Sequence, residues 1–186
     1  MKILVQKFGG TSVATLESMK MVRGKVMDGL ARGCKVIAVL SARAGETNRL
    51  LALADEWSPA PDRAECDVLV STGEQVSVSL FTMLLKDAGV SARSLLGWQI
   101  PVTTDDDFGR ARIIAINSEQ LRELFQHYDV LVVAGFQGCT PDGRITTLGR
   151  GGSDTSAVAL AAALDSADCE IYTDVDGVYT TDPNIS

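Results

Sequence analysis

Short apolar runs rich in β-branched residues alternate along this chain with longer stretches of helical periodicity. The runs cover residues 3–5, 36–40, 113–116, 130–133 and 169–172. A run that is apolar at almost every position is typical of a strand buried on both faces, as in a parallel sheet. The helical stretches cover residues 13–30, 66–85, 118–127 and 154–164, with Ser118 and either Ser153 or Asp154 as expected N-caps. This alternation predicts an α/β fold, a three-layer α/β/α sandwich around a mostly parallel central sheet.

Length, charge and composition narrow the possible partners. A chain of 186 residues that is 46% hydrophobic can bury the core of one domain. Its net charge of −7 argues against nucleic acid or an anionic membrane as the main partner, although a local pocket can still bind an anion. We find no apolar run long enough to span a bilayer and no signal peptide, so the sequence predicts a soluble cytoplasmic protein. The four scattered cysteines and the single histidine, His127, show no metal-ligand spacing, and no metal held by protein side chains is expected.

Two glycine-rich turns, far apart in sequence, each lead into a predicted helix and each carry one cation. Lys7 precedes Gly9 and Gly10 after the first strand, and Arg150 lies within the glycines at 149–152. Backbone N–H groups at a helix start, next to a positive charge, form an anion site. Two such sites suit the transfer of a phosphoryl group between two anions. For the first turn, a tight strand-to-helix connection without a ligand is an equally good interpretation.

Other polar residues interrupt the apolar pattern where a pocket is expected. Thr47 follows the strand that ends at residue 40, where ligands bind in open α/β sheets, or it caps a helix. Glu74 stands at a break in the helix over 66–85 and would bind an amino group there, or it is a surface residue of a kinked helix. Asp154 would hold lysines in place or cap its helix. Asp174, after the strand that ends at residue 172, would organise a metal–nucleotide or form a simple turn.

Five segments, taken together, resemble the signature segments of the aspartate kinase family. They are residues 7–12, 71–74, 135–138, 147–154 and 172–179, in the order and at the spacing of that family. The resemblance implies the amino-acid kinase fold and transfer of the ATP γ-phosphoryl group to the side-chain carboxylate of L-aspartate, giving 4-phospho-L-aspartate. That step leads toward lysine, threonine and methionine. It also implies ATP with Mg²⁺ as the cofactor, the Mg²⁺ held mostly by water and phosphate.

The resemblance assigns roles to residues at the matching positions. Catalysis would fall to Lys7, Asp154 and Asp174. The nucleotide would be bound by Lys7, Gly9, Gly10, Thr173, Asp174, Tyr179 and Asp182. L-Aspartate would be held by Thr47, Glu74, Arg150 and Ser153, with Glu74 on the amino group and Arg150 on a carboxylate. No general base is required, because the attacking carboxylate is already ionised at neutral pH.

The resemblance covers only part of what such proteins contain. Residues 1–186 are expected to be an incomplete amino-acid kinase catalytic domain without its remainder and without regulatory ACT domains. They are therefore expected to be inactive, or nearly so, by themselves. The full-length protein is expected to form a homo-oligomer. Two alternatives remain: another amino-acid kinase, acting on glutamate, acetylglutamate or carbamate, and a non-catalytic module of the same fold that senses a nucleotide or an amino acid.

Overall fold

The computed structural model describes residues 1–100, 102–165 and 168–173 and shows strands and helices in alternation over most of that length. The strands are β1 (Ile3–Phe8), β2 (Lys35–Leu40), β3 (Ala92–Leu95), β4 (Val102–Thr104), β5 (Ile113–Ile116), β6 (Val130–Ala134), β7 (Gln137–Cys139), β8 (Ile145–Thr147) and β9 (Asp168–Tyr172). The helices are α1 (Leu16–Ala31), α2 (Glu46–Trp57), α3 (Arg63–Val70), α4 (Thr72–Asp87), α5 (Ser118–Leu124) and α6 (Gly152–Ala163).

The main sheet has five strands in the order β3-β6-β2-β1-β9, and each neighbouring pair is parallel. Phe8, the last residue of β1, pairs with Leu40 of β2 and with Tyr172 of β9. The carboxyl ends of these three strands are therefore level with one another. Because ligands of open α/β sheets bind beyond the carboxyl ends of the strands, this edge is where the polar turns should meet.

Apolar residues alternate between the two faces of this sheet and build two separate core layers. Val36, Ala38 and Leu40 of β2 face one layer, to which α1 and α4 contribute, while Ile37 and Val39 face the other, to which α5 and α6 contribute. Both faces of the central strands are covered, which explains the continuous apolar runs 36–40 of β2 and 130–134 of β6. The prediction of a three-layer α/β/α sandwich with a mostly parallel central sheet is confirmed.

A second, smaller sheet was not predicted. Its strands lie in the order β5-β4-β7-β8, with antiparallel pairs β4/β5 and β7/β8. The run over 113–116 is a strand, as predicted, but it is β5 of this sheet and not part of the parallel one. Ile114 is 64% exposed, so its apolar character does not reflect burial. Residues 140–144 connect β7 and β8 as a hairpin.

The helical stretch predicted over 66–85 is two helices, α3 and α4, joined at Ser71. The predicted break is therefore present.

Among the described residues, Arg63–Asp87 is the one helical segment that is long and apolar enough by length and composition to cross a membrane, contrary to the expectation from the apolar runs. Half of its most apolar window is buried within the protein, where Phe81 and Leu85 pack in the core. Core packing thus accounts for the buried half of that window, whereas Val76, Leu80 and Met83 of α4 are exposed.

The predicted helix caps at the later helices are wrong by one to three residues. Asn117 caps α5 through its side-chain oxygen, which accepts a hydrogen bond from the N–H of Gln120, so Ser118 is the first helical residue. Helix α6 begins after Gly151, whose φ of 74° is in the left-handed region that glycine adopts without strain. Ser153 and Asp154 thus lie in the first turn, where their side chains are free to face the carboxyl edge of the sheet.

Candidate active site

A cavity of about 810 Å³ lies at the carboxyl edge of the parallel sheet. It is bounded by the last residues of β1, the loop after β2 and the first turns of α2, α4 and α6. The predicted site residues that line it are Lys7, Thr47, Glu74, Arg150, Ser153 and Asp154. Lys7 and Arg150, which come from opposite ends of the chain, therefore share one cavity.

Lys7 extends from β1 toward α6 and forms an ion pair with Asp154. Its Nζ atom lies 2.7 Å from Oδ1 of Asp154. The Lys7 side chain is 10% exposed, whereas that of Asp154 is 47% exposed. The carboxylate thus holds a mostly buried ammonium at the cavity wall and leaves its own outer edge open to solvent. A cation fixed in this way is suited to neutralising the charge of a bound phosphate.

Glu74 lies in the first turn of α4 and is 2% exposed. Its Oε1 atom accepts a hydrogen bond of 2.9 Å from the backbone N–H of Ala42, whereas Oε2 is buried and has no hydrogen-bond partner among the described residues. Gly73 makes this approach possible, because a Cβ atom there would lie 2.8 Å from Cβ of Ala42. An unpaired buried carboxylate oxygen in a cavity wall is suited to a cationic group of a ligand.

Burial raises the pKa of Glu74 from its ordinary value of 4.5 to about 7, and the backbone hydrogen bonds from Ala42 and from the residue's own N–H oppose that rise only in part. The cause is loss of hydration around the charged form. Glu74 therefore changes charge near neutral pH when the cavity holds no cation. A bound ammonium group would favour the ionised form and lower this pKa.

Arg150 occupies the turn between β8 and α6. The flanking Gly149 and Gly151 both have left-handed backbone conformations, with φ of 77° and 74°. The arginine is exposed and forms no ion pair within the part of the chain that the structure describes. Its guanidinium group is therefore available for a bidentate contact with a carboxylate or a phosphate.

Thr47 and Ser153 complete the predicted set for the amino acid. Thr47 lies in the first turn of α2 and is half-buried, and Gly45 rather than Thr47 caps that helix. The Oγ atom of Ser153 accepts a hydrogen bond of 2.9 Å from Oγ of Ser41, which follows β2. Ser41, Thr47 and Ser153 all line the same cavity, although they come from the loop after β2, from α2 and from α6.

Gly9, Gly10 and Thr173 follow the level ends of β1 and β9 but do not themselves line the cavity. A Cβ atom at Gly9 would lie 3.7 Å from Nζ of Lys7, which is ordinary contact. At Gly10 it would lie 2.8 Å from the backbone oxygen of Ala42, so this glycine is required by the approach of the loop after β2. The remaining predicted residues, Asp174, Tyr179 and Asp182, lie outside the described residues.

Asp67 and Phe136 are among the cavity residues that the sequence analysis missed or gave no role. Asp67, on α3, is 2% exposed and accepts hydrogen bonds from three donors. Phe136, after β6, has a φ of 68°, which is strained for a bulky residue and common at functional sites. Its conformation is held by Ser156, whose Oγ accepts from the Phe136 N–H at 3.0 Å, and by the N–H of Leu148, which donates to the Phe136 carbonyl.

Comparison with known proteins agrees with this architecture. The model of the amino acid kinase family matches residues 2–186. The aspartate kinase of Pseudomonas putida is 52% identical over 185 residues, which are all of this chain and 45% of that protein. The aspartokinase of Geobacillus stearothermophilus is 50% identical over 183 residues, covering 98% of this chain and 45% of that protein. The chain belongs to the amino acid kinase family.

Solved structures give the same result. The crystal structure of Escherichia coli aspartokinase III in complex with aspartate and ADP superimposes with a TM-score of 0.88 at 34% identity, over 98% of this chain and 51% of that one. The aspartate kinase of Synechocystis superimposes with a TM-score of 0.81 at 46% identity, over 97% of this chain and 30% of that one. The chain thus spans about half the length, or less, of each of these four relatives.

Proposed function

We propose that the protein, in its full-length form, transfers the γ-phosphoryl group of ATP to the side-chain carboxylate of L-aspartate. The observation that carries the proposal is the placement of three groups around one cavity. They are the unpaired buried oxygen of Glu74, the exposed guanidinium of Arg150 and the ammonium of Lys7. The first two suit the ammonium and the carboxylate of a free amino acid, and the third suits a phosphate.

Recognition of the amino acid follows from pairing charges across the cavity. The α-ammonium group would bind Oε2 of Glu74, and a carboxylate would bind Arg150, with the hydroxyl groups of Thr47 and Ser153 as further partners. A short dicarboxylic amino acid then directs its second carboxylate toward Lys7. Enclosing both charged ends selects a free amino acid over a carbamate, which has no ammonium group for Glu74.

Phosphoryl transfer needs alignment and charge neutralisation rather than a base. Lys7, held by Asp154 at 2.7 Å, would neutralise the transferring phosphoryl group. Gly9 and Gly10 would let the backbone approach the ATP phosphates, and the first turn of α6 would contribute its N–H groups. Thr173, Asp174, Tyr179 and Asp182 would line the rest of the nucleotide site, with Asp174 assisting catalysis.

Mg²⁺ would enter this site bound to the ATP phosphates. Among the described residues, no group of three or more His, Cys, Asp or Glu side chains could hold a metal ion. Asp154 forms the ion pair with Lys7, and its open edge would orient metal-bound water or the lysine. When bound, Mg²⁺ neutralises phosphate charge. Binding through the phosphates requires no further protein ligand.

The relatives support the proposal at the level of whole proteins. The Escherichia coli aspartokinase III was crystallised with aspartate and ADP, which are an amino acid and a nucleotide of the kind proposed for this protein. We further propose that residues 1–186 are the first part of the catalytic domain. The full-length protein would be a cytoplasmic homo-oligomer in the biosynthesis of lysine, threonine and methionine.

A hydroxamate assay tests this function on the full-length polypeptide with ATP and Mg²⁺. We expect acyl phosphate formation with L-aspartate and none with L-glutamate, acetylglutamate or carbamate. Glu74→Gln serves as a control that retains the shape of the cavity but not its charge, and it should weaken aspartate use. Product with L-glutamate alone would identify a different amino-acid kinase. Absence of product with any acceptor, together with binding of nucleotide, would identify a sensing module.

A further inference from the structure

Asp67 is a buried carboxylate that joins three parts of the cavity wall. It projects from α3, a helix capped at its start by Asp62, and lies on the buried face of that helix with Ala64 and Val70. Its Oδ2 atom accepts from the backbone N–H of Gly109 and from that of Thr147, both at 2.9 Å. Its Oδ1 atom accepts from the hydroxyl group of Thr147 at 2.7 Å.

The two segments bound by Asp67 are those that support the turn of Arg150. Thr147 is the last residue of β8, from which the turn departs. Gly109 belongs to the loop after β4, and its carbonyl oxygen would lie 3.2 Å from a Cβ atom at Gly149. The turn that carries Arg150 thus begins after Thr147 and lies directly against Gly109, and Asp67 binds both residues.

Further hydrogen bonds hold the loop after β4 against the end of β8. The N–H of Ala111 donates to the carbonyl of Thr147 at 2.9 Å, so the loop after β4 also pairs with the end of β8. Within that loop, Asp105 accepts from the N–H of Arg112 at 2.9 Å. Arg150 itself has no ion-pair partner in the described part of the chain, so the backbone of its turn sets the point from which its side chain reaches the cavity.

We propose that Asp67 is a positioning residue for amino-acid recognition, acting through the turn that carries Arg150. The inference rests on the proposed function, since it concerns the same cavity. Asp67 need not contact the substrate. Its three hydrogen bonds hold the guanidinium where a carboxylate can meet it, while Lys7, in β1, is held separately by its ion pair with Asp154.

The test compares Asp67→Ala with Asp67→Asn in the full-length polypeptide. The alanine variant leaves two backbone N–H groups and a hydroxyl group without their acceptor. Because misplacement of a binding group lowers its effect steeply, we expect KM for L-aspartate to rise by about tenfold or more, with KM for ATP changed by less than about twofold. Asp67→Asn is expected to retain most of the affinity, because the amide oxygen can accept from both N–H groups and the amide nitrogen can donate to the hydroxyl group of Thr147.

A matched control separates positioning from loss of stability. Asn117→Ala removes the N-cap of α5, which is expected to destabilise the fold without touching the cavity. It should lower Tm and leave both KM values unchanged. If Asp67→Ala does not fold, Thr147→Val and Thr147→Ser replace it, since only the serine variant retains the hydroxyl donor. Valine should then raise KM for L-aspartate and serine should not.

The outcomes distinguish this inference from the function on which it rests. Equal rises in KM for L-aspartate and ATP, or a lower Tm with unchanged KM for L-aspartate, would overturn the positioning role and leave the kinase assignment in place. A wild-type protein without aspartate-dependent turnover would overturn the proposed function and this inference together.

Discussion

Nζ of Lys7 lies 2.7 Å from Oδ1 of Asp154, joining the end of the second-from-edge strand β1 to the first turn of α6. This ion pair holds a mostly buried cation at the cavity wall. A lysine at this position would accelerate phosphoryl transfer only if the negative charge near its ammonium group is larger in the transition state than in the bound substrates. Its removal should therefore affect turnover more than the binding of the amino acid.

The first prediction concerns Lys7→Ala. We expect kcat to fall by about a hundredfold or more, because one fixed electrostatic contact to the developing charge is lost, while KM for L-aspartate changes by less than about threefold. Steady-state kinetics with both substrates measures the split. Lys35→Ala is the control, since Lys35 also forms a 2.7 Å ion pair, with Asp129, at the opposite end of the sheet. Equal losses of turnover and aspartate affinity would contradict the role given to Lys7.

The second prediction concerns Glu74 and the stability of the fold. The folded-state pKa of about 7 is above the ordinary 4.5, so the folded protein binds more protons than the unfolded chain between these pH values. The contribution of this group to stability is therefore fully present below about pH 4.5 and is lost as the pH rises through about 7. Glu74→Gln, which stays neutral, should be more stable than the wild type at pH 8 by up to about 3 kcal/mol.

Urea unfolding at pH 5 and pH 8 measures this difference. The advantage of Glu74→Gln should be small at pH 5 and large at pH 8. Glu56→Gln, at an exposed position on α2, is the control and should behave alike at both pH values. A constant difference for Glu74→Gln at the two pH values would show that the pKa of Glu74 is not raised in the folded state.

The third prediction concerns the pH dependence of aspartate binding. In the proposed function the α-ammonium group would bind the ionised form of Glu74, so the affinity for L-aspartate should fall as the pH drops below about 7, by up to about tenfold per pH unit. Measurement of KM for L-aspartate between pH 5.5 and 7.5 tests this. In Glu74→Gln the affinity should be lower throughout and almost independent of pH. A wild-type profile as flat as that of the variant would exclude Glu74 as the ammonium partner.

The fourth prediction distinguishes the two guanidinium groups that line the cavity. Arg150 is unpaired among the described side chains, whereas Arg63 lies 3.6 Å from Asp107. We expect Arg150→Ala to raise KM for L-aspartate by about ten- to a hundredfold, as the loss of a charge-assisted contact implies, with no change in Tm. Arg150→Lys should recover part of this loss. A larger effect of Arg63→Ala on KM would show that Arg63, not Arg150, binds the carboxylate.

The parallel core could be predicted because β2 and β6 are buried on both faces, and complete burial leaves a continuous apolar run in the sequence. The smaller sheet could not. Its strands β4, β7 and β8 have three residues each, and Gln137–Cys139 is a strand only because β4 and β8 flank it. Burial that depends on neighbours distant in sequence leaves no local pattern.

The candidate site shows the same distinction. The meeting of Lys7 and Arg150 was predicted from two glycine-rich turns that each carry a cation and lead into a helix. Arg150 follows β8 of the smaller sheet, however, so the order of the parallel strands alone does not place it at this edge. The burial of Glu74 depends on the close approach of Gly73 to Ala42, which no spacing reveals. Asp67 did have a signal, because it lies three residues from both Ala64 and Val70 on an apolar helix face. A carboxylate at such a position must find donors within the protein.

The last prediction compares the two neighbouring glycines after β1. A Cβ atom at Gly10 would lie 2.8 Å from the backbone oxygen of Ala42 and 3.1 Å from the backbone nitrogen of Ala44, and neither can move without displacing the loop after β2. Gly10→Ala should therefore lower Tm. At Gly9 the nearest atom would be Nζ of Lys7 at 3.7 Å, so an alanine fits the unliganded fold. Its methyl group would nevertheless occupy space beside the Lys7 ammonium, to which the proposed function assigns phosphate binding.

Gly9→Ala should accordingly leave Tm unchanged and raise KM for ATP, by about tenfold, with little change in KM for L-aspartate. Thermal unfolding and steady-state kinetics of the two variants, measured side by side, provide the check. The pair is informative because both changes add the same methyl group to adjacent residues, so any difference between them comes from what that group meets. If Gly9→Ala binds ATP as well as the wild type, the phosphates do not approach the backbone at this turn, and the nucleotide must lie elsewhere along the carboxyl edge.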